Sequence, residues 1–420
     1  MLARLRMSCT ATPALALLAV ALMLTGCGKG GAGSSAQSAL AEAPAKPATC
    51  AATVLAALGH VARRIYREGV SSERTGAAAH AIAASSGLRE AVQNGSPAAV
   101  QAAAQALVAG GRMTNLRVMA GGRVLADAGG PAVAPLHGKL LGSSGRPIGS
   151  YIASVWADEG LIDETDGVTG GRIALRVGGR SVGGSLALPA GPLAPEGTLT
   201  LGGRRYQYTS FAGHVYPSGA LRVYLLRTIA STASLCAASA EETVVHTLGR
   251  IASLIYAGEA GARTLPQVRR VQRDQPLLHA VAARDRLATK AAIEALLTEH
   301  IVRLRVSAPG ALLADVGGPF VLAPVSAPLR LEGRTVGSFV LSIQDDEGYL
   351  RLTRRLAGLR VLMYMNSQLV KNSLGPSPGT VPPSGSYVYR GRSFRVFTVN
   401  ARAFPSGPLT IRVLIPVPYA

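Results

Sequence analysis

Shifted by 188 positions, this sequence lies over itself. Leu116–Pro131 and Leu304–Pro319 agree at 11 of 16 positions, sharing Leu-Arg-Val, Leu-Ala-Asp and Gly-Gly-Pro, and Gly145–Gly160 agrees with Gly333–Gly348 at 8 of 16. Pro217-Ser218-Gly219 falls on Pro405-Ser406-Gly407 in the same register without a gap. A solenoid repeats every 20–50 residues or so, so a period this long makes each copy a complete domain. Whatever one copy folds into, the other must fold into as well.

Both copies open on an amphipathic pattern. Val54, Leu58, Val61 and Ile65 are spaced 4, 3, 4, as are Val244, Leu248, Ile251 and Ile255, which places one apolar stripe on a helix. In the second helix Ser96 is a strong N-cap, with Pro97 at the first helical position and Gly110 at the close; Asp285 holds the matching cap in the second copy. Then the period shortens to that of strands. Leu116–Val118 and Val124–Asp127 flank a turn at Ala120-Gly121-Gly122, while Ile148–Val155 and Val336–Ile343 alternate. Ile173–Val177, Tyr206–Phe211 and Leu221–Leu226 follow between Gly-Gly and Pro-Ser-Gly turns. Connections this tight demand antiparallel pairing, because a parallel crossover takes about a dozen residues or more. The expected fold class is α+β in tandem, each domain an N-terminal helix pair followed by an antiparallel sheet of about five or six strands.

Ahead of the repeats, Arg4 and Arg6 precede an apolar run of 11 residues, Ala14–Leu24. That is the length of a signal-peptide core and too short to span a bilayer, which takes roughly 20. It ends in Leu24-Thr25-Gly26-Cys27, which resembles the lipobox of bacterial lipoproteins. The resemblance implies cleavage before Cys27 and a diacylglyceryl group on its sulfur. Two acyl chains, at roughly 0.8 kcal/mol per buried CH₂, make a stable anchor where one is marginal. Residues 28–48 offer little beyond Gly, Ala, Ser, Pro and Lys, and read as a tether. The expected organisation is a signal peptide at 1–26, lipidated Cys27 and tether at 27–48, and domains at 49–227 and 235–420. The lipid bilayer is then a partner through the Cys27 acyl chains, and the protein sits lipid-anchored on the extracytoplasmic face of the cell membrane.

The formal charge of +20 falls to +18 without Arg4 and Arg6, and arginine carries it, 38 against five lysines. With abundant Ala and Gly this is the bias of a GC-rich genome. A basic outward surface favours anionic lipid or wall polymer, whereas no basic run is interleaved with aromatics, which argues against nucleic acid.

A long opening helix leading to Leu-Arg-Val, Val-Leu-Ala-Asp-x-Gly and then Gly-Arg-x-x-Gly-Ser-x-x-x-Ser is similar to the Cache family, the extracytoplasmic PAS-like sensor domains of bacteria. The likeness covers about 50–227 and again about 236–417; Gly310–Asp315 and Gly333–Gly348 carry it best. It implies tandem PAS-like domains that bind a small metabolite over the sheet without catalysis, and no cofactor. A membrane signalling protein is the partner such a sensor would need, since no kinase or chemoreceptor module follows the repeats. The aromatic-and-Asp cluster of amino-acid-binding members is missing here. Paired domains of this family often sit around a pseudo-two-fold axis, an arrangement in which Cys50 and Cys236, equivalent positions just ahead of each opening helix, could meet as a disulfide; otherwise they are two free, small apolar residues. An oxidising compartment would preserve the bond.

The candidate chemistry is sparse. Gly179-Arg180-Ser181-Val182-Gly183 matches a nucleophile elbow, which needs a strand before it and a helix after it; its glycine-rich setting between strand-like stretches reads instead as a turn. The seven histidines show no metal-site spacing, and no metal is expected. Asp158-Glu159 and Asp346-Glu347 suit capping, and Asp127 and Asp315 suit bonds to turn amides. Arg172 and Arg360 are equivalent, and Arg360 could grip a carboxylate in a bidentate fork. With Tyr349, Tyr364 and Phe397 nearby in sequence, these make the second copy the expected ligand site. The alternatives are a structural or partner-binding envelope lipoprotein, and a secreted hydrolase working through Ser181 or an acid pair.

Overall fold

The computed structural model describes residues 49–261, 264–297, 301–319, 321–405 and 407–419. Cys27 and the segments at 1–26 and 27–48 lie outside that range, as does Ser406. The first copy opens with α1 (Cys50–Val70), α2 (Glu73–Ala84), α3 (Ser86–Gln93) and α4 (Pro97–Ala109). Strands β1 (Asn115–Ala120), β2 (Arg123–Gly129), β3 (Ala132–Val133), β4 (Leu136–Leu141), β5 (Pro147–Ser154) and β6 (Trp156–Ala157) follow, then α5 (Asp158–Thr169). The copy closes with β7 (Arg172–Val177), β8 (Arg180–Gly184), β9 (Glu196–Leu201), β10 (Arg204–His214) and β11 (Ala220–Thr228), and α6 (Ile229–Ala233) leads onward. Its two main sheets run β2-β1-β5-β4 and β8-β7-β11-β10-β9, all antiparallel where paired.

The second copy repeats the plan. Helices α7 (Ala240–Ala260), α8 (Leu265–Arg273), α9 (Gln275–Ala282) and α10 (Arg286–Leu296) lead to β12 (Arg303–Ala308), β13 (Ala311–Gly317), β14 (Val321–Leu322), β15 (Val325–Leu331), β16 (Arg334–Ser342) and β17 (Gln344–Asp345). After α11 (Asp346–Ala357) come β18 (Arg360–Met365), β19 (Gln368–Asn372), β20 (Gly385–Tyr389), β21 (Arg392–Arg402) and β22 (Pro408–Val417). The sheet orders β13-β12-β16-β15 and β19-β18-β22-β21-β20 match the first copy strand for strand.

The α+β class is as the patterns imply, but each copy holds four opening helices and two principal sheets, of four and five strands, where a helix pair and one sheet were expected. In the first copy the extra helices were hidden by alanine, and in the second by their shortness, nine and eight residues. The stripes of α2 and α3 run through Ala78, Ile82, Leu88, Ala91 and Val92, all buried, and alanine gives little periodic contrast. The division into two sheets follows from what each helix covers. Helices α2–α4 close the four-stranded sheet into its own core with Leu116, Val118 and Leu140. The long α1 passes over that sheet's place in the sequence and packs on β10 of the next one.

The periodic residues are the ones buried. Val54, Leu58, Val61 and Ile65 are 0–1% exposed, and truncating one such leucine to alanine costs about 2–5 kcal/mol. Ser96 caps α4 by accepting from the Ala99 amide, and Asp285 caps α10. Helices α1 and α5 cover one five-stranded sheet and α7 and α11 the other; the four helices pack on one another, so one core spans both copies.

The pairing is pseudo-two-fold. The Tyr66 hydroxyl accepts from the His214 amide and donates to the His214 carbonyl, and Tyr256 does the same with Arg402. Across the axis, Arg64 donates to the Arg354 and Arg355 carbonyls at the end of α11, while Leu254, its equivalent on α7, packs against Gly170 at the end of α5. Cys50 and Cys236 lie at the starts of the paired helices with Cα atoms 5.7 Å apart and their sulfurs bonded.

Candidate functional site

The outer face of each five-stranded sheet, the one turned away from the helices, is crossed by an irregular strap, residues 185–195 in the first copy and 373–383 in the second. Both straps start alike. The hydroxyl of Ser185 accepts from the Ile173 amide, and that of Ser373 from the Val361 amide. Both end alike too, with Ser210 and Thr398 donating to the carbonyls of Pro195 and Pro383.

Beneath each strap lies an arginine stacked on a tyrosine, with the two residues exchanged between copies. In the first copy Arg176 of β7, 3% exposed, lies 5.9 Å from the Tyr224 ring of β11 and donates to the Gly179 and Gly191 carbonyls. In the second copy the β7 position holds Tyr364 and the β11 position holds Arg412. Here the guanidinium lies 4.2 Å from the ring centroid and donates to the Val381 carbonyl. A buried cation over a ring face gains up to about 2 kcal/mol when desolvated.

The resemblance ends at the next pair. Arg222 stands directly opposite Arg176 in the β7–β11 register, whereas Tyr364 faces Thr410. Opposed side chains on one sheet face have Cβ atoms about 5 Å apart, and like charges there repel. Arg176, Arg180, Arg222 and Tyr224 line a cleft of about 690 Å³ closed on one side by the strap at Ala190–Leu193, with no carboxylate in its lining. The Arg176 Nε is buried with no hydrogen-bond partner among the described residues. Beside these groups each copy closes the same face with an apolar cluster, around Tyr206, Tyr208 and Leu226 in the first and around Leu362, Phe394, Val396 and Leu414 in the second.

The residues expected to form a second-copy site do not converge. Tyr349 is fully buried between helices, its hydroxyl donating to the Ala252 carbonyl at 2.9 Å. Burial pushes that hydroxyl well above the usual tyrosine range. Phe397 lies on the helix side of its sheet, its ring so close to Gly249 that a Cβ there would come within 2.5 Å. Tyr364 is on the opposite side, under the strap. Arg360 donates to the Ser373 carbonyl at 3.0 Å, fixing the strap. Burial, helped by the nearby Arg354 and Arg392, lowers its pKa. The strand's two-residue alternation separates these groups, which proximity in sequence cannot reveal. Its equivalent Arg172 pairs with Asp166 instead.

Asp158 and Asp346 open α5 and α11, where Asp345 caps α11 through the Gly348 amide and acids favour the helix dipole. Asp127 and Asp315 do not serve turn amides as expected. Asp127 pairs with Arg117, and Asp315 takes both Arg303 and Arg305, since the hairpin register sets these chains side by side. Ser181 lies exposed on β8, opposite Arg176, in a strand–turn–strand that lacks the helix a nucleophile elbow needs. Among the described residues no three His, Cys, Asp or Glu gather as metal ligands, and no helix is long and apolar enough to cross a membrane.

No protein-family profile matches the chain, and no curated protein is significantly similar to it. Among solved structures, the periplasmic domain of Vibrio cholerae LuxQ aligns at 15% identity and a TM-score of 0.26, over 39% of this chain and 96% of that one. The ligand-binding domain of the Pseudomonas fluorescens chemoreceptor CtaA, in complex with L-isoleucine, aligns at 12% and 0.25, over 42% and 96%. An extracellular ligand binding receptor from Desulfohalobium retbaense aligns at 10% and 0.21, over 40% of each chain. All three TM-scores are below 0.5, and the α+β assignment stands on the sheets and helices themselves.

Proposed function

We propose that this chain is a membrane-anchored, extracytoplasmic sensing protein that binds a small anionic metabolite in the first copy's outer-face cleft and releases it unchanged. The observation that carries this reading is the opposed pair Arg176 and Arg222, with Arg180 beside them and no carboxylate in the cleft. Two guanidinium forks set side by side suit a carboxylate or phosphate held bidentately, and an aromatic wall at Tyr224 suits its apolar remainder. The PAS-like resemblance supports the same sheet face, in the other copy from the one its residues first suggested.

A thermal-shift screen of the mature protein against organic acids and amino acids tests the reading. A ligand at 100 times its Kd adds about 2.7 kcal/mol to the folded state, a rise of about 2–4 °C for a chain of this size. The shift should vanish in Arg222→Ala and shrink in Arg180→Ala; both side chains are exposed, so the fold is not at stake. An anion that still shifts the melting of Arg222→Ala unchanged overturns the site. For the anchor, Cys27→Ala should release the protein from the membrane fraction or leave it unprocessed; a mature, salt-resistant membrane protein in that variant places the anchor elsewhere.

A further inference from the structure

The junction between the copies is basic on one side of the pseudo-two-fold axis and not on the other. On the basic side a cleft of about 730 Å³ between α1, α2 and α11 is lined by Arg64, Arg74, Arg351, Arg354 and Arg355, against two carboxylates, Glu68 and Glu73. A second cleft of about 740 Å³ continues along α11 toward β12 and β16; Arg351 and Arg355 line both, and Asp345, engaged in capping α11, is the carboxylate in its lining. The two clefts therefore adjoin along α11, with those two arginines as their common wall. Part of the charge here is committed to the fold: Arg64 caps the end of α11, and Arg355 pairs with Glu68 at 3.1 Å. Arg74, Arg351 and Arg354 are exposed and form no ion pair among the described residues.

The other side of the axis shows that the fold does not need these arginines. Where α11 carries Arg351, Arg354 and Arg355, α5 carries Asp163, Asp166 and Gly167. Where α1 carries Arg64, α7 carries Leu254, and the cleft there, about 460 Å³, is lined by Asp163, Glu164 and glycines among apolar residues. Compositional drift toward arginine would have marked both helices.

We infer that the two clefts along α11 together bind an extended polyanion, a chain carrying repeated phosphate groups. Guanidinium forks match phosphate oxygens, and arginines spread over two adjoining clefts suit a linear ligand better than a single ion. Neither cleft has an aromatic in its lining, so there is no platform for stacking nucleobases. This site is independent of the sheet-face cleft.

The test uses the whole mature protein and a fluorescently labelled linear inorganic polyphosphate, with anisotropy read at several salt concentrations. The decisive variant is Arg351→Asp combined with Arg354→Asp, which installs the residues α5 already carries at those positions, so the helix tolerates them. Its affinity should fall about 100-fold and its log–log salt slope by about 2, one for each lost phosphate contact. Arg222→Ala should bind polyphosphate as the parent does, and vesicles of anionic phospholipid should compete poorly. The double variant binding within twofold of the parent overturns the proposal, as does tight binding to the vesicles with none to polyphosphate.

Discussion

The outer faces of the two five-stranded sheets answer one structural need in opposite ways. Under each strap one guanidinium is laid over one tyrosine ring and donates to a strap carbonyl, yet the arginine comes from β7 in the first copy and from β22 in the second, and the tyrosine from the partner strand. The exchange separates requirement from choice. A donor for the strap carbonyls is required, and either strand can deliver it. Arg222 is not part of that exchange, because Thr410 replaces it in a copy whose strap is fastened without it. It is the surplus cation, and surplus charge in a cleft is what a ligand would use.

The comparison can be broken at four points, the largest effect first. Cys50→Ser removes a cross-link over a sequence separation of 186 residues, which loop-closure entropy values at up to about 5 kcal/mol. Chemical denaturation should show the loss, and the parent under reductant should match the variant. Two alkylated cysteines in the intact mass of non-reduced parent would instead show that no bond forms. Next, Arg176→Tyr strips the first strap of its donor and should cost about 3 kcal/mol, the range for a buried charged hydrogen bond whose acceptors are left unmade. Combining it with Tyr224→Arg recreates the second copy's order and should recover most of that loss. A double variant no more stable than Arg176→Tyr alone would mean the two copies are not interchangeable here.

The third point contrasts two hairpin aspartates. Asp315 is held below the usual carboxylate range by its hydrogen bonds from Arg303, with Arg305 adding to it, against burial. A depressed folded pKa means stability that is complete above the unfolded value near 3.8 and lost as pH falls through the lower folded value. Asp315→Asn should cost about 1–3 kcal/mol at pH 7, a cost that shrinks as pH falls below 3.8. Asp127→Asn, whose side chain is 41% exposed against one arginine, should cost under about 1 kcal/mol. Equal losses in the two variants would show that the second arginine adds nothing. The smallest effect is Tyr349→Phe, which leaves the Ala252 carbonyl short of a donor and should cost about 1 kcal/mol while leaving any ligand-induced melting shift untouched. A lost shift would restore Tyr349 to the binding site.

Much of this architecture was legible. The offset of 188 paired the copies, and the 4, 3, 4 spacing found α1 and α7. Helices α5 and α11 were missed although their signals were present. Acids open each one, Leu161, Thr165 and Val168 mark a buried stripe, and Gly170 and Gly358 end them with φ of 61° and 70°, a left-handed conformation that glycine adopts without a Cβ clash. The site failed for a different reason. Arg172 and Arg360 stood out because they match, and equivalence marks what the fold shares. The informative positions were those that differ at the same offset, Arg176 against Tyr364 and Tyr224 against Arg412. Which side of the sheet each faced depended on a helix packing over the second sheet, a long-range contact that local patterns do not encode.

The bond between Cys50 and Cys236 makes nearly the whole first copy a closed covalent ring, while the second copy hangs from it as an open chain. A protease that cuts the exposed strap at Pro189–Pro192 opens the ring and frees nothing, because both new ends remain covalently tied. The same cut in the strap near Gly379 leaves β20, β21 and β22 with no covalent link to the rest, held by sheet pairing and core packing. In an extracellular setting the copy with the open cleft is thus the one whose fragments cannot drift apart, and only a reductant acting together with the protease would dismantle it.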